Sequence, residues 1–410
     1  MKKIFLSLIL ALATMTATAQ VDLLGSWTGK LDLGVAKLTL VFNLKQADGK
    51  VNVTMDSPDQ SAKGIPATLS HISADSVNFQ VPSIGMSYAG KLQGGVLKGT
   101  FKQMSVTLPL DMKPGEVVRN RPQHPVEPYP YQTKEVTFRN EAANASFAGT
   151  LVYPVGHKVG QKVPVVLFVT GSGAENRDEE IFDHKPFLVI ADYLARHGIA
   201  SLRFDDRGFG QSTGDMKEAT TQDFAQDALA GVEMLRGLKE FSKVGVIGHS
   251  EGGSIAFILG AQKKIDFIIS LAGVGVKGDT ALTAQANRTY ELMGAPMRVT
   301  TAQYRQQVAQ LNSPWMNFFL DYDPVPDIQQ TRCPVFALNG DKDIQVISSL
   351  NLKGIEAALA KNKKNLVKEY PGLNHLFQHC TTGLPTEYAN IEETISEEVL
   401  QDLAAWINKL

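Results

Sequence analysis

The run Gly248-His-Ser-Glu-Gly-Gly directly follows the apolar segment Val244-Gly-Val-Ile, and this combination allows few folds. An apolar run that leads into a glycine-rich serine motif is typical of a buried strand that turns sharply into a helix. The serine then lies at the end of the strand with its hydroxyl exposed, and glycine leaves room for the crowded backbone. The pattern therefore predicts a tight turn at Gly248 and Gly252, with Ser250 as the candidate nucleophile.

The order of the later motifs suggests partners for this serine. Where a serine turn of this kind is catalytic, the acid and then the histidine follow it, each on a loop after a later strand. Of the eight histidines, only His375 and His379 lie beyond Ser250, and His375 follows a short predicted strand and a Pro-Gly loop. Asp343 and Asp341 follow the apolar run 334–339. We favour His375 and Asp343 as the catalytic pair, with His379 and Asp341 as the alternatives.

A serine hydroxyl is a poor nucleophile at neutral pH, so a histidine must accept its proton and an acid must orient that histidine. Such chemistry also needs backbone amides that stabilise the oxyanion, one after the nucleophile and one after an earlier strand. The first amide would be that of Glu251. The second would come from Ser172, in the loop after the predicted strand 164–169, although Gly171 or Gly173 could also supply it.

In five ordered motifs the chain resembles the α/β-hydrolase superfamily: Thr170-Gly-Ser-Gly, Asp206-Arg-Gly-Phe-Gly-Gln-Ser, Gly248-His-Ser-Glu-Gly, Gly340-Asp-Lys-Asp-Ile-Gln-Val and Asn374-His-Leu-Phe-Gln. The resemblance covers about residues 134 to 410. Within the superfamily the chain is most similar to exported bacterial serine esterases that carry an N-terminal β domain and act on short acyl esters. These enzymes are related to prolyl oligopeptidase-type peptidases and acyl-CoA thioesterases. Many relatives have His-Gly where this chain has Thr170-Gly171.

The first residues predict export. Met1-Lys-Lys precedes an apolar stretch, 4–13, and the small residues Ala17-Thr-Ala19, which is the order of a signal peptide (1–19) that is cut before Gln20. We expect a soluble periplasmic or extracellular protein without stable membrane insertion. The formal net charge of -2 gives no positive electrostatic potential that would attract nucleic acid. The sequence does not indicate an oligomeric state.

The mature chain divides into two predicted domains. Residues 20–112 alternate like short strands separated by glycine turns, which favours an antiparallel β barrel or sandwich. Residues 113–132 contain five prolines and are predicted to be a linker. From 133 to 410 strand runs alternate with helical stretches, which indicates an α/β fold with a mainly parallel sheet. The two cysteines, Cys333 and Cys380, should lie at opposite edges of that sheet as free thiols.

An insertion at about 280–327 separates two predicted core strands and is rich in aromatic residues and methionine. It should form a helical lid over the serine, with Met293, Trp315, Phe318 and Phe319 as candidate acyl-pocket residues. Together these features predict a serine carboxylic-ester hydrolase that acts on short acyl esters. No cofactor and no metal are expected, since the histidines lack metal-site spacing. The alternatives are a serine peptidase, an acyl thioesterase, or a binding module with a vestigial triad.

Overall fold

The computed structural model describes residues 23–34, 37–60 and 62–410. It divides into two compact units, an N-terminal unit that ends at Val118 and a C-terminal unit from Arg119 to Leu410. The predicted signal peptide, 1–19, lies outside the described residues. In the described part of the chain, no helix is both long and apolar enough to cross a bilayer. Cys333 and Cys380 are free thiols.

The N-terminal unit is an antiparallel barrel. From β1 to β8 each strand pairs with the next along the chain, and the ring closes because β9 pairs with both β1 and β7, which leaves β8 beside β7. The barrel resolves the predicted choice between barrel and sandwich. Its described strands are β1 (Gly25–Asp32), β2 (Lys37–Ala47), β3 (Lys50–Ser57), β4 (Ala62–Ile72), β5 (Ser76–Val81), β6 (Met86–Gln93), β7 (Val96–Gln103), β8 (Val106–Pro109) and β9 (Met112–Pro114).

Large apolar side chains fill the barrel, because inward and outward residues alternate along each strand. Phe42, Phe79 and Tyr88 are almost fully buried and form an aromatic cluster with ring centroids 4.7 to 5.6 Å apart. The Tyr88 hydroxyl lies 3.1 Å from each of the carbonyl oxygens of Leu97 and Leu110. Any side chain at Gly99 would overlap the Tyr88 ring, so this glycine makes room for the cluster.

The C-terminal unit contains an eight-stranded sheet in the order β10-β11-β13-β12-β14-β15-β16-β17. The pairs β10–β11 and β11–β13 are antiparallel, and all later pairs are parallel. The predicted fold class is confirmed: an antiparallel β domain is followed along the chain by a mainly parallel sheet. The strands are β10 (Thr133–Asn140), β11 (Ala145–Val152), β12 (Val163–Val169), β13 (Ala200–Phe204), β14 (Phe241–His249), β15 (Phe267–Leu271), β16 (Val335–Gly340) and β17 (Leu366–Tyr370).

Helices cover both faces of this sheet and enclose a separate hydrophobic core on each face. The helices α2 (Thr221–Leu238), α3 (Glu251–Ala261) and α8 (Ser348–Ala358) bury their apolar residues on one face. The helices α1 (Pro186–Arg196) and α10 (Glu397–Asn408) cover the other. A short helix, α9 (Pro385–Tyr388), follows β17. Burial on both faces explains why the central strands read as continuous apolar runs.

The insertion between β15 and β16 is helical, as predicted. It consists of α4 (Gly278–Leu292), α5 (Thr301–Ala309), α6 (Pro314–Asp321) and α7 (Val325–Gln330). Thr300 and Ser313 cap the N-termini of α5 and α6 through backbone amides. Arg305 on α5 joins α4 and α6, because its guanidinium binds Asp279 and Asp321 at 2.8 Å.

The proline-rich segment that is predicted to be a linker, 113–132, spans the division between the two units. Its start, Met112–Pro114, is a barrel strand, and the division between the units falls at Val118. From Arg119 onward the segment belongs to the C-terminal unit. The Arg121 guanidinium donates to the carbonyls of Phe182, Ala389 and Ile391 at 2.8 to 2.9 Å. An arginine can join several carbonyls in this way because it has five N–H donors in one plane.

Candidate active site

The serine turn has the geometry that its sequence predicts. The strand β14 ends at His249, Ser250 has φ 53° and ψ −115°, and α3 begins at Glu251. A non-glycine residue in this region is strained by about 1 to 3 kcal/mol, which the surrounding structure must offset. An added Cβ at Gly248 would overlap the Gly252 carbonyl, and one at Gly252 would overlap the Val169 carbonyl. Both glycines are therefore required for the turn to pack.

The loops after β16 and β17 bring a carboxylate and an imidazole together. His375 Nδ1 lies 2.7 Å from Asp343 Oδ2, and both side chains are buried. The other oxygen of Asp343 accepts hydrogen bonds from the backbone amides of Gln345 and Val346 at 2.8 and 2.9 Å. The carboxylate is thus held in place while it orients the imidazole. His375 and Ser250 line the same cavity.

The two alternative residues have other partners. His379 Nδ1 lies 2.8 Å from Glu393, and its side chain is exposed to solvent. The Asp341 carboxylate accepts a hydrogen bond from the Gly372 amide at 2.7 Å. These contacts hold surface loops together, so the geometry favours Asp343 and His375 over their neighbours.

The glycine loop after β12 passes close to the nucleophile. A Cβ at Gly171 would lie 3.3 Å from the Ser250 Cβ. The Gly171 amide donates to Glu179 Oε1 at 3.1 Å, so it already has a partner, and Ser172 and Gly173 stay the candidates for the second oxyanion donor. Glu251 is the first residue of α3, where a backbone N–H has no partner within the helix.

The Glu251 side chain has a role that the sequence did not indicate. Its buried carboxylate accepts hydrogen bonds from Thr221 Oγ1 at 2.6 Å and from Trp315 Nε1 at 2.9 Å. Burial raises the pKa of this carboxyl, while hydrogen bonds from Thr221, Trp315 and Ser172 act in the opposite direction. One side chain therefore connects α2, the lid and the loop that carries Ser172.

The sequence also did not predict the buried contact between His249 and Glu179. His249 Nδ1 lies 2.8 Å from Glu179 Oε1, and its Nε2 lies 3.0 Å from the backbone carbonyl of His375. Burial alone lowers the pKa of His249, but the Glu179 carboxylate and the His375 carbonyl outweigh it and raise the pKa to about 9. At neutral pH the ring is an imidazolium that donates from both nitrogens. It joins the residue before the nucleophile to the loop that carries His375.

More carboxyl groups surround this pair. Burial raises the pKa of Glu175 well above its usual range, and the nearby Glu179 and Asp206 carboxylates add to the effect. Burial likewise raises the pKa of Asp206 to about 8, although Thr170 Oγ1 donates to it at 2.8 Å. At neutral pH the Asp206 carboxyl is therefore mainly protonated, and burial favours the protonated form of Glu175 as well. Asp205, by contrast, binds the Arg177 guanidinium at 2.9 to 3.0 Å, which fixes the loop after β13.

The serine cavity, by which we mean the cavity lined by Ser250 and His375, has a volume of about 260 Å³. Of the predicted lid residues, Trp315 and Phe319 line it. They are four residues apart on α6 and share one face of the helix. Phe318 points elsewhere and stacks on Tyr322 at 5.8 Å, and Met293 follows the end of α4 with 70% of its surface exposed. These two positions were predicted for the pocket, but helix phase and helix length place them outside it.

Comparison with known proteins gives one family and two curated relatives. Residues 185–310, which include Ser250, match the family model for serine aminopeptidase, S33. Esterase EstD of Thermotoga maritima is 25% identical over 299 residues, which cover 69% of each chain. The mitochondrial palmitoyl-protein thioesterase ABHD10 of Bos taurus is 27% identical over 229 residues, which cover 51% of this chain and 69% of the relative.

Among solved structures, an esterase of Pyrococcus furiosus aligns with 72% of this chain and 99% of its own, at 17% identity and a TM-score of 0.47. In the described residues, no group of three or more His, Cys, Asp or Glu side chains is arranged to hold a metal ion. The family match covers the stretch in which β14 leads into the strained serine, and that strand lies inside a parallel sheet covered on both faces. The C-terminal unit therefore has the α/β-hydrolase fold, and the stretch around its serine turn is similar to the serine aminopeptidase, S33, family.

Proposed function

We propose that this protein hydrolyses carboxylic esters of short acyl chains, with Ser250 as nucleophile, His375 as base and Asp343 as the acid that orients it. The observation that carries the proposal is the buried 2.7 Å contact between His375 Nδ1 and Asp343, in the cavity that Ser250 also lines. This contact leaves His375 Nε2 as the nitrogen that can accept a proton.

In the proposed reaction Ser250 Oγ attacks the ester carbonyl carbon while its proton passes to His375 Nε2. The amides of Ser172 and Glu251 stabilise the oxyanion that forms on the carbonyl oxygen. As the tetrahedral intermediate collapses, His375 returns the proton to the leaving alcohol and an acyl-serine remains. A water molecule then gives a proton to His375 and attacks the acyl carbon. As the second tetrahedral intermediate collapses, His375 returns this proton to Ser250 Oγ, and the carboxylic acid and free Ser250 are released.

The cavity supports a small and mainly apolar acyl group. Val274, Leu282 and Phe319 contribute apolar walls, and a volume of about 260 Å³ suits a compact ester. The relative EstD carries the name of an esterase. The signal sequence at 1–19 leads us to propose export as well, so that the enzyme would act outside the cytoplasm.

Two neighbouring reactions use the same chemistry and have observations in their favour. The family model is described as a serine aminopeptidase, and the second relative is named a thioesterase. A peptidase must also hold a free amine or a proline. The acidic residues that line this cavity are Glu175 and Glu179. Burial raises the pKa of Glu175 well above its usual range, which disfavours its charged form, and Glu179 already pairs with His249 at 2.8 Å. Neither acid is therefore a strong partner for an ammonium group, so the ester reaction has our preference.

The test compares p-nitrophenyl acetate and butyrate with aminoacyl p-nitroanilides and an acyl thioester. We expect the esters to be hydrolysed fastest and Ser250→Ala to lower kcat by roughly 10⁴-fold or more. His375→Ala should behave like Ser250→Ala, whereas the matched variant His379→Ala should retain activity. Faster cleavage of the anilide or of the thioester would move the assignment to that reaction. Absence of turnover, together with no labelling of Ser250 by a fluorophosphonate, would indicate a binding module.

A further inference from the structure

A second cavity lies next to the serine cavity. This flanking cavity has a volume of about 300 Å³, and its surface is mainly apolar. It is lined by Ser172, Gly173, Met216, Ala219, Phe224 and Trp315. Ser172 and Trp315 also line the serine cavity, so these two residues are a common wall.

Trp315 is a fixed part of this wall. Its Nε1 lies 2.9 and 3.1 Å from the two carboxylate oxygens of Glu251, which Thr221 holds at 2.6 Å. The indole also packs on Phe319, with ring centroids 5.4 Å apart. A buried carboxylate and an aromatic neighbour thus restrict the indole, because moving it would leave a buried acceptor without its donor.

The position of His375 indicates which part of a substrate could reach the flanking cavity. The leaving alcohol takes its proton from His375, so it must lie on the side of the serine cavity that His375 lines. The flanking cavity is lined by neither His375 nor the loop of Asp343, but by Ser172, whose amide is the proposed oxyanion donor. The group that would extend past Ser172 is the acyl chain.

We infer that Trp315 is a partition that limits the length of the acyl chain, and that the flanking cavity is a latent subsite for the apolar end of longer fatty acyl groups. This inference rests on the proposed ester hydrolysis. In the wild type the chain ends at the indole. With the indole removed, the two cavities become continuous, and additional methylene groups become buried against Met216, Ala219 and Phe224.

The experiment measures kcat/KM for p-nitrophenyl octanoate divided by kcat/KM for p-nitrophenyl butyrate. We expect Trp315→Ala to raise this ratio at least tenfold, since each newly buried methylene is worth about fourfold in binding. The double variant Trp315→Ala/Met216→Trp refills the flanking cavity and should return the ratio to the wild-type value. Trp315→Phe, which keeps an aromatic ring but lacks the N–H, should change the ratio by less than about threefold.

Thermal unfolding shows whether each variant is folded, and Trp315→Leu replaces Trp315→Ala if the alanine variant does not fold. If Trp315→Ala or Trp315→Leu is folded and its octanoate-to-butyrate ratio stays within twofold of the wild type, Trp315 does not limit the acyl chain. If the ratio stays raised in the double variant, the flanking cavity is not the site that binds the longer acyl chain. Failure of the proposed ester hydrolysis is distinguishable, because it appears in the wild type as absence of turnover with both esters. In that case the inference that Trp315 limits the acyl chain is overturned as well.

Discussion

The two units bury polar side chains very differently. Among the described residues of the barrel, the buried polar side chains are those of Thr39 and Ser57, and neither carries a charge. The C-terminal unit buries charged or ionisable side chains on several of its loops, including Glu179, His249 and Glu251 next to the nucleophile turn. Apolar packing, with neutral hydrogen bonds such as those of the Tyr88 hydroxyl, forms the described barrel core, whereas the candidate site buries charged groups.

This difference indicates where the chain accepts an energetic cost. A buried charge is unfavourable unless a partner and hydrogen bonds compensate it. Next to Ser250, two such groups have partners on other parts of the chain: His249 contacts Glu179 and His375, and Glu251 contacts Trp315. The buried charges therefore serve to fix loops relative to one another, which is the requirement for a catalytic site.

The strongest test of this comparison removes the charge that orients the base. Asp343→Asn should lower kcat for p-nitrophenyl butyrate by about 10⁴-fold, because asparagine favours the wrong imidazole tautomer and cannot stabilise the imidazolium. The amides of Gln345 and Val346 can still bind the asparagine oxygen, so the fold should persist. Steady-state kinetics and circular dichroism on the same samples separate the two effects.

Asp341→Asn is the matched control for this variant. Its side-chain oxygen can still accept the Gly372 amide, so kcat should change by less than about threefold. An equal loss in both variants would mean that the loop, and not the contact with His375, determines the rate.

The second test concerns the pH dependence of stability. The pKa of His249 rises from 6.5 to about 9 in the folded protein, so its protonated form stabilises the fold fully below pH 6.5. That stabilisation is lost as the pH rises through 9, and a shift of this size corresponds to a free energy on the order of 3 kcal/mol. The free energy of unfolding of the wild type in urea should therefore fall between pH 6 and pH 10. His249→Gln, which cannot be protonated, should lack this part of the pH dependence.

Two controls sharpen this prediction. His379→Gln removes an exposed ring beside Glu393 and should change the free energy of unfolding by less than about 0.5 kcal/mol, since solvent screens exposed pairs. Hydrogen exchange should show that the barrel core opens with the same free energy at both pH values, because its described core buries no charge. Equal pH dependence in the wild type and His249→Gln would contradict a buried imidazolium.

The sequence was sufficient for the fold class because periodicity and glycine turns report burial and backbone geometry directly. The predicted α/β sheet, antiparallel β domain and helical insertion are present, and the strained turn at Ser250 is as its glycines require. The predictions for Ser250, Asp343 and His375 used the serine motif, the order of the residues along the chain and the loops that follow predicted strands. The geometry is consistent with them, but their catalytic roles stay predictions until the variants above are measured.

The sequence did not predict contacts between side chains that lie far apart along the chain. His249 and Glu179 are 70 residues apart, and no local pattern indicates that they meet. Arg121 lies in a proline-rich stretch that reads as a linker, yet it binds carbonyls about 270 residues later. In the lid, Trp315 and Phe318 looked equivalent by composition, and only the phase of α6 separates them.

The mildest prediction concerns the barrel itself. Tyr88→Phe removes a hydroxyl that donates hydrogen bonds to the carbonyls of Leu97 and Leu110. This variant should lower the free energy of unfolding by about 1 kcal/mol. Its ring stays packed against Phe42 and Phe79, so Tyr88→Ala, which also loses that packing, should cost about 3 kcal/mol or more. Both values come from native-state hydrogen exchange of the amides in the barrel strands, which reports the opening of the barrel by itself. If Tyr88→Phe costs as much as Tyr88→Ala, then polar contacts stabilise the barrel core as they do the site, and the contrast between the two units does not hold.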